Sequence, residues 1–404
     1  MNKLKVGVLK ETKTPPDRRV VLAPEQAIEI EKLFPNVELF IQPSDIRSYK
    51  DEEYLNLGLK LKEDLSDCDI LLGVKEVKIP YLIPDKKYLF FSHTAKKQSY
   101  NRPLLNACLE KRITLMDHEY LTDQKGIRMV AFGRWAGIVG AYNGLIAYGK
   151  RTNRFNLKRA KDCHDLQEML GEVEKIQLPA IKILITGGGR VAHGAIESLA
   201  PLNIKQVSAD DFLTKEFKEA VVCQIDPLDY VKRKDGANFD LANFFAHPDE
   251  FDSAFKPYTQ VTDFYIPCHF WDQRSPVFFN KEDMRSPNFK IKIIADVSCD
   301  IDGPIPSTIR PSTIEEPFYG YNPITNKEGG SWDENNITVM AVDNLPGELP
   351  RDASVDFGKG LIERVFPSMF GDDTLGIVER ASITQRGKLT ELYEYLQDFS
   401  DGKE

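Results

Sequence analysis

Residues 181–195 read Ile-Lys-Ile-Leu-Ile-Thr-Gly-Gly-Gly-Arg-Val-Ala-His-Gly-Ala. An apolar strand ends at Thr186, Gly187, Gly188 and Gly189 turn the chain, and a helix begins near Val191. Glycine lets a backbone approach a pyrophosphate closely, and a helix N-terminus offers free N–H groups and a favourable dipole. The spacing is Gly187-x-Gly189 with a gap to Gly194, not G-x-G-x-x-G. Alone it fits either a dinucleotide loop or a tight strand-to-helix turn. The ribose-binding acid of such loops lies about 20 residues on. Here the next apolar strand ends in Ser208, with Asp210 and Asp211 beyond. That leaves both NAD and NADP open, since a carboxylate repels a 2′-phosphate. Arg190 either pairs with such a phosphate or faces solvent.

In open α/β sheets, ligands bind beyond the carboxyl ends of strands. Polar residues that follow apolar runs are therefore the candidates. Lys75-Glu76 follow Ile-Leu-Leu-Gly-Val, and His93, Lys96 and Gln98 follow Tyr-Leu-Phe-Phe-Ser. Glu119 follows Thr-Leu-Met-Asp-His, Ser298-Cys299-Asp300 follow Ile-Ile-Ala-Asp-Val, and Asp343-Asn344 follow Val-Met-Ala-Val. Desolvation lowers a lysine's pKa and makes Lys75 an acid–base candidate, while Glu76 pushes the other way. His93 needs little tuning to transfer protons near neutrality. His118, His164 and His247 read as structural.

The elements that must position these groups alternate as in a parallel α/β sheet. The first segment predicts strands over 5–9, 37–41, 70–74, 88–92 and 114–117, with helices over 24–33 and 102–110. The second predicts strands over 181–186, 206–208, 221–225, 261–266, 291–297 and 338–342. Helical stretches at 135–149 and 350–370 are the expected crossings between the halves, and 382–399 reads as an amphipathic helix. Residues 235–240 and 322–336 read as surface loops. The chain's 404 residues suggest two domains. We expect a substrate or catalytic domain over 1–134 plus 346–404 and a dinucleotide-binding domain over 135–345. Both are expected to be Rossmann-like α/β domains with parallel sheets and an active-site cleft between them.

A net charge of −9 argues against nucleic acid and anionic membrane surfaces as partners. No apolar run approaches the roughly 18 residues of a membrane span, and no leader pattern is evident, so the reading is cytoplasmic. The six cysteines are scattered without a Cys-x-x-Cys pair, which predicts neither a metal site nor a disulfide framework.

The stretches Glu11-Thr12-Lys13, Arg19-Val20-Val21-Leu22-Ala23-Pro24, Gly73-Val74-Lys75-Glu76, 90–98, 127–137, 295–300 and 341–354 carry a resemblance. In order, and over nearly the whole chain, they resemble saccharopine dehydrogenases of the lysine-forming type and lysine–ketoglutarate reductase domains. Those families belong with alanine dehydrogenase and transhydrogenase. The resemblance implies that Lys75 exchanges protons at the amine and that His93 acts on the carbinolamine and its water. It implies substrate contacts at Arg19, Gln98, Arg128, Phe132, Ser298, Cys299 and Asp300, and pKa tuning by Glu76 and Glu119. Cofactor contacts are implied at Gly189, Arg190, Phe270, Val342, Asp343, Asn344 and Leu345, and the loop reading adds Gly187, Gly188, Val191 and Ser208, where Ser208 stands in place of the acid of NAD-specific relatives. The implied substrate is a small amino acid carrying several carboxylates, which arginine clamps bidentately. Ile127 stands where some relatives carry a second arginine. Two other readings compete: an alanine dehydrogenase or other opine-type enzyme, and a non-catalytic NAD(P)-binding regulator. Intact Lys75, His93, Arg19 and Arg128 argue against the regulator. The sequence allows a homo-oligomer without specifying one.

Overall fold

The computed structural model of the chain describes residues 3–403. The chain divides into two units, one of Met1–Phe132 with Pro350–Glu404 and one of Gly133–Leu349. The first unit begins with β1 (Leu4–Val8), β2 (Val37–Ile41), β3 (Lys60–Leu61), β4 (Ile70–Lys75), β5 (Lys87–Phe91) and β6 (Thr114–Asp117). The second holds β7 (Lys182–Thr186), β8 (Lys205–Gln206), β9 (Val221–Ile225), β10 (Val231–Arg233), β11 (Phe251–Ser253) and β12 (Phe264–Pro267). It continues with β13 (Ile293–Ala295), β14 (Phe318–Asn322), β15 (Lys327–Gly329) and β16 (Ile337–Met340). The chain then returns to the first unit with β17 (Ser382–Gln385) and β18 (Lys388–Leu389).

The first unit's sheet has the order β18-β17-β6-β5-β4-β1-β2-β3. Strands β1 to β6 are parallel, and β17 and β18 form an antiparallel edge. Its central strands are near-continuous apolar runs because helices cover both faces. Pro24 opens the Pro24–Leu33 helix at its first position, and Gln26 Oε1 accepts the Ala23 N–H at 3.1 Å, satisfying one orphan donor there. On one face, Val6, Val8, Leu72 and Val74 pack with Ala27, Ile30, Phe357 and Leu361. On the other, Leu71, Tyr88 and Phe90 pack with Leu104, Leu105, Ile383, Tyr393, Leu396 and Phe399.

The second unit's sheet has the order β15-β14-β16-β13-β12-β7-β9-β8, parallel except for β14 and β15. β10 and β11 pair separately. The helix Gly133–Thr152 lies against the helix Arg190–Leu199 with backbones nearly touching. A Cβ on Gly137 would fall 1.8 Å from the Val191 carbonyl oxygen, and one on Gly194 would fall 2.0 Å from that of Arg134. Glycine at both points is what admits this contact.

Three sequence expectations are corrected. Residues 382–399 are not one amphipathic helix. They form β17, a turn with positive φ at Arg386 and Gly387, β18, a 3-10 segment Glu391–Leu396 and a short helix Gln397–Ser400. Thr384 Oγ1 accepts from Leu115 N at 3.2 Å and donates to Ile113 O at 2.8 Å, docking the strand on β6. Two consecutive positive-φ residues make the tight hairpin that matches strand twist. The apolar spacing of Tyr393, Leu396 and Phe399 is three, which suits a 3-10 turn as well as an α-helix. The stretch 350–370 is likewise two helices, Pro350–Arg364 and Phe366–Phe370, because Pro367 has no N–H to continue the first. The expected loop at 322–336 contains β15, a short edge strand without readable alternation.

Candidate active site

β4 and β5 run parallel with Lys75 opposite Phe91. Lys75 and His93 therefore leave the sheet at the same edge. The β4–β5 register shifts between Leu72 and Lys75, and this irregularity turns the end of β4. Burial, then the nearby positive charges of Arg19 and Lys13, lower the Lys75 amine to about 8, against the pull of Asp17 and Glu76. A lysine so placed exchanges a proton near neutrality.

Arg19 is 2% exposed and grips Asp17 through Nε at 3.0 Å and a terminal nitrogen at 2.6 Å. Burial opposes the Asp17 charge, but the Arg19 charge and hydrogen bonds prevail and hold that carboxyl well below its ordinary value. Removing one partner of such a buried pair costs about 3–5 kcal/mol. The Arg19 guanidinium lies 4.2 Å from the centre of the Phe132 ring, which stacks on Phe357 at 4.4 Å. Glu76 pairs with Lys13 at 3.0 Å.

His93 adopts φ 55° just past β5, an uncommon conformation for a non-glycine residue. Asp117, at the end of β6, holds it there. Asp117 Oδ2 accepts the Ser92 N–H at 2.9 Å, the Ser92 hydroxyl at 2.5 Å and the His93 N–H at 3.1 Å, and Oδ1 accepts the Glu119 N–H at 2.8 Å. Burial raises the Asp117 carboxyl, and these donors oppose that only in part. The His93 ring stacks on Phe91, with Nδ1 3.5 Å from Glu119 Oε2. Glu119 also takes Lys96 at 2.9 Å and a short contact from Arg128. Burial alone would raise the Glu119 carboxyl, yet His93, Arg128 and Lys96 together lower it to about 2. An ionised Glu119 lies within ion-pair reach of Nδ1 without a hydrogen bond to it, and Nε2 is the other ring nitrogen that can transfer a proton. Gln98 is exposed; its Oε1 accepts from Tyr100 at 2.6 Å and from Asn101, which also donates to the His93 carbonyl at 3.3 Å.

The first unit thus brings together Lys75, Arg19, Glu76 and Phe132, and beside them His93, Glu119 and Arg128. Sequence reasoning missed Asp17, Lys13 and Asp117 as parts of the cluster. Asp117 sits two residues before Glu119, inside the run Thr-Leu-Met-Asp-His itself.

In the second unit, the remaining candidates line up along the carboxyl edge of the parallel strands. Gly187 has φ 102°, and a Cβ there would fall 2.7 Å from the Cys268 carbonyl oxygen. Gly189 precedes the ten-residue Arg190–Leu199 helix without a side-chain cap, and a Cβ on it would meet nothing within 4 Å. The helix N-terminus therefore has open room over its first N–H groups, which fits a pyrophosphate. Arg190 is exposed, whereas a Val191 methyl packs toward Gly133. Beyond β13, buried Asp296 organises the next candidates: it accepts the Ser298 hydroxyl at 2.5 Å, the Cys299 N–H at 3.0 Å and the Thr308 hydroxyl at 2.6 Å. Burial, then Asp296, raises Asp300 to about 6. Past β16, Val342 and Leu345 are buried and Asp343 is exposed. Phe270, past β12, is 82% exposed.

The strand order corrects one step of the sequence reading. The strand next to β7 is β9, and β8 lies outside it. Ser208 does not end the neighbouring strand. It caps the helix Ala209–Thr214, its hydroxyl accepting from Asp211 N at 3.2 Å. The residue directly after the neighbouring strand is Asp226, at the N-cap of the helix Pro227–Tyr230, and a Cβ on Gly188 would fall 2.6 Å from its Oδ1. A carboxylate thus stands against the glycine loop. Among the described residues no cluster is placed to hold a metal ion, and no helix is long and apolar enough to cross a membrane.

These units have the fold of alanine dehydrogenases. A solved L-alanine dehydrogenase superposes over 98% of this chain and 99% of its own with a TM-score of 0.62 at 15% identity. A transhydrogenase from Sinorhizobium meliloti gives 0.56 at 14% identity, over 96% and 98%. Residues 7–139 match the family "Alanine dehydrogenase/PNT, N-terminal domain". The chain is 30% identical to the alpha-aminoadipic semialdehyde synthase of Arabidopsis thaliana over 97% of its own length and 41% of that protein. It is 30% identical to the mitochondrial enzyme of that name from Rattus norvegicus over 96% of this chain and 47% of that one. It is 24% identical to the saccharopine dehydrogenase [NAD(+), L-lysine-forming] of Yarrowia lipolytica over 89% and 90%. Residues 7–139 thus resemble the N-terminal domain of the alanine dehydrogenase/PNT proteins, and over nearly its whole length the chain is similar to the synthases and saccharopine dehydrogenases. It spans less than half the length of the two synthases.

Proposed function

We propose that this chain interconverts saccharopine and lysine plus 2-oxoglutarate, with NAD as the preferred dinucleotide. The first unit serves as the substrate and catalytic domain and the second as the dinucleotide-binding domain. The observation that carries the reading is the pair Lys75 and His93–Glu119 at adjacent strand ends, beside Arg19 and Arg128, in a chain homologous to saccharopine dehydrogenases.

In the oxidative direction, neutral Lys75 takes a proton from the protonated secondary amine of saccharopine, so that hydride departure leaves an iminium. The dinucleotide supplies a hydride acceptor when bound. Water adds to the resulting C=N carbon, and His93 Nε2, its Nδ1 within ion-pair reach of Glu119, takes the water proton. As the carbinolamine collapses, His93 gives its proton to the departing nitrogen and takes the carbinolamine O–H proton, and the C–N bond breaks to give the ketone of 2-oxoglutarate and the lysine amine, which Lys75 protonates. Two groups of separated proton affinity suit that sequence. Arg19 and Arg128 supply cations for the substrate carboxylates. Asp226, directly after the strand adjacent to the glycine loop, suits a ribose diol and repels a 2′-phosphate.

The test is spectrophotometric. Lysine plus 2-oxoglutarate is expected to drive oxidation of NADH, with NADPH weaker. Turnover with ammonia and pyruvate instead would make this an alanine dehydrogenase. Tight NADH binding with no turnover on either substrate set would make it a regulator.

A further inference from the structure

The end of β4 departs from the regular ladder where it presents Lys75. A break inside a sheet leaves main-chain donors and acceptors that need other partners. Two side chains supply them. Glu11, on the loop after β1, accepts the Val74 N–H at 2.7 Å with Oε1 and the Lys75 N–H at 2.9 Å with Oε2. His118, fully buried after β6, meets the Gly73 carbonyl oxygen at 2.9 Å through Nε2. A carbonyl only accepts, so His118 carries its proton on Nε2 there. Phe91 and Phe357 pack on the His118 ring at 4.9 Å each.

We propose that Glu11 is a positioning residue for Lys75: both of its carboxyl oxygens grip the main-chain irregularity of β4 that aims the Lys75 side chain. No other side chain is recorded accepting the Lys75 N–H among the described residues. The grip spans 64 residues of sequence and joins the loop after β1 to the strand end. Charged groups meet Lys75 from several elements: Arg19, Lys13 and Asp17 from the loop that carries Glu11, and Glu76 from its own chain. Glu11 itself faces Asp17 and Arg19, and burial pushes its carboxyl up to about 8. Moving the β4 end would carry the Lys75 amine out of this enclosure and toward water. This inference rests on the proposed acid–base role of Lys75.

The experiment reads the Lys75 amine directly. Isotope-labelled lysine NMR across pH, with the signal assigned by its loss in Lys75→Met, gives the titration point without turnover. Glu11→Gln keeps the shape but turns an N–H2 toward one of the two amides, so the grip fails. The Lys75 titration point is expected to rise by one unit or more toward the ordinary lysine value, with kcat falling at least tenfold and KM for NADH unchanged. An electrostatic effect of Glu11, present only where its carboxyl is ionised, would give the opposite sign, because losing a carboxylate lowers a neighbouring lysine. Glu11→Asp keeps the carboxyl and shortens the reach, and is expected to shift Lys75 in the same upward direction. An unchanged or lowered titration point in both variants overturns the proposal. Should either variant fail to fold, hydrogen exchange in the wild-type protein decides. The Val74 and Lys75 amides are expected to be protected, and fast exchange there overturns the grip. Absence of saccharopine turnover in the wild type would overturn the proposed function instead, and the titration and exchange would still report on Glu11.

Discussion

Lys75→Met is expected to lower kcat for lysine plus 2-oxoglutarate by about 10³-fold, within the range general acid–base groups contribute, while the dissociation constant of NADH stays within about twofold. Methionine fills nearly the same space and cannot carry a proton. Stability should not suffer, because the wild-type amine is a desolvated cation beside Arg19 and Lys13. The pH dependence carries the sign. Burial lowers Lys75 to about 8, so the neutral amine dominates above that pH and the ammonium below it. Saccharopine oxidation uses the neutral form as base, and its kcat/KM should rise through about pH 8 and then level. The reverse condensation uses the ammonium as acid, and its Lys75-dependent limb should fall above the same pH. Both limbs should vanish in Lys75→Met. Wild-type turnover in that variant, or a limb that persists, would remove Lys75 from the chemistry.

How far the site could be read from sequence depends on what fixes each residue. Lys75, His93 and Glu119 were legible because a polar residue closing an apolar run marks a strand's carboxyl end, where ligands bind. Glu11 and Asp17 were not legible as partners. Their roles come from a loop packed against β4 and from hydrogen bonds to main chain, which leave no periodicity. Arg19 was expected to clamp substrate, yet it already grips Asp17, so any substrate carboxylate must share a guanidinium that is partly committed. The hairpin of β17 and β18 was misread because apolar positions spaced by three satisfy a helix pattern, while pairing with β6 is a tertiary fact. Ser208 was misassigned for a similar reason: sequence order is not spatial order, and β9 inserts between β7 and β8.

That same insertion sets the second large effect, on the choice of dinucleotide. Asp226 follows β9 next to Gly188, and its carboxyl is raised by burial and then by Asp229, with His193 opposing. A charge-assisted hydrogen bond contributes about 1.5–3 kcal/mol, or roughly 10- to 150-fold in affinity. Asp226→Ser is therefore expected to raise KM for NADH by at least tenfold. Removing the negative charge should also lower KM for NADPH, so the NADH-to-NADPH ratio of kcat/KM should drop by about 100-fold. The ribose lies away from the reacting carbon, so this loss is one of binding shared by ground and transition states, and kcat with saturating NADH should hold. Ser208→Ala tests the alternative position. It removes a helix cap worth about 1 kcal/mol and should lower thermal stability while leaving the cofactor ratio alone. A ratio that moves with Ser208 and ignores Asp226 would mean that the sequence order, rather than the strand order, locates the ribose.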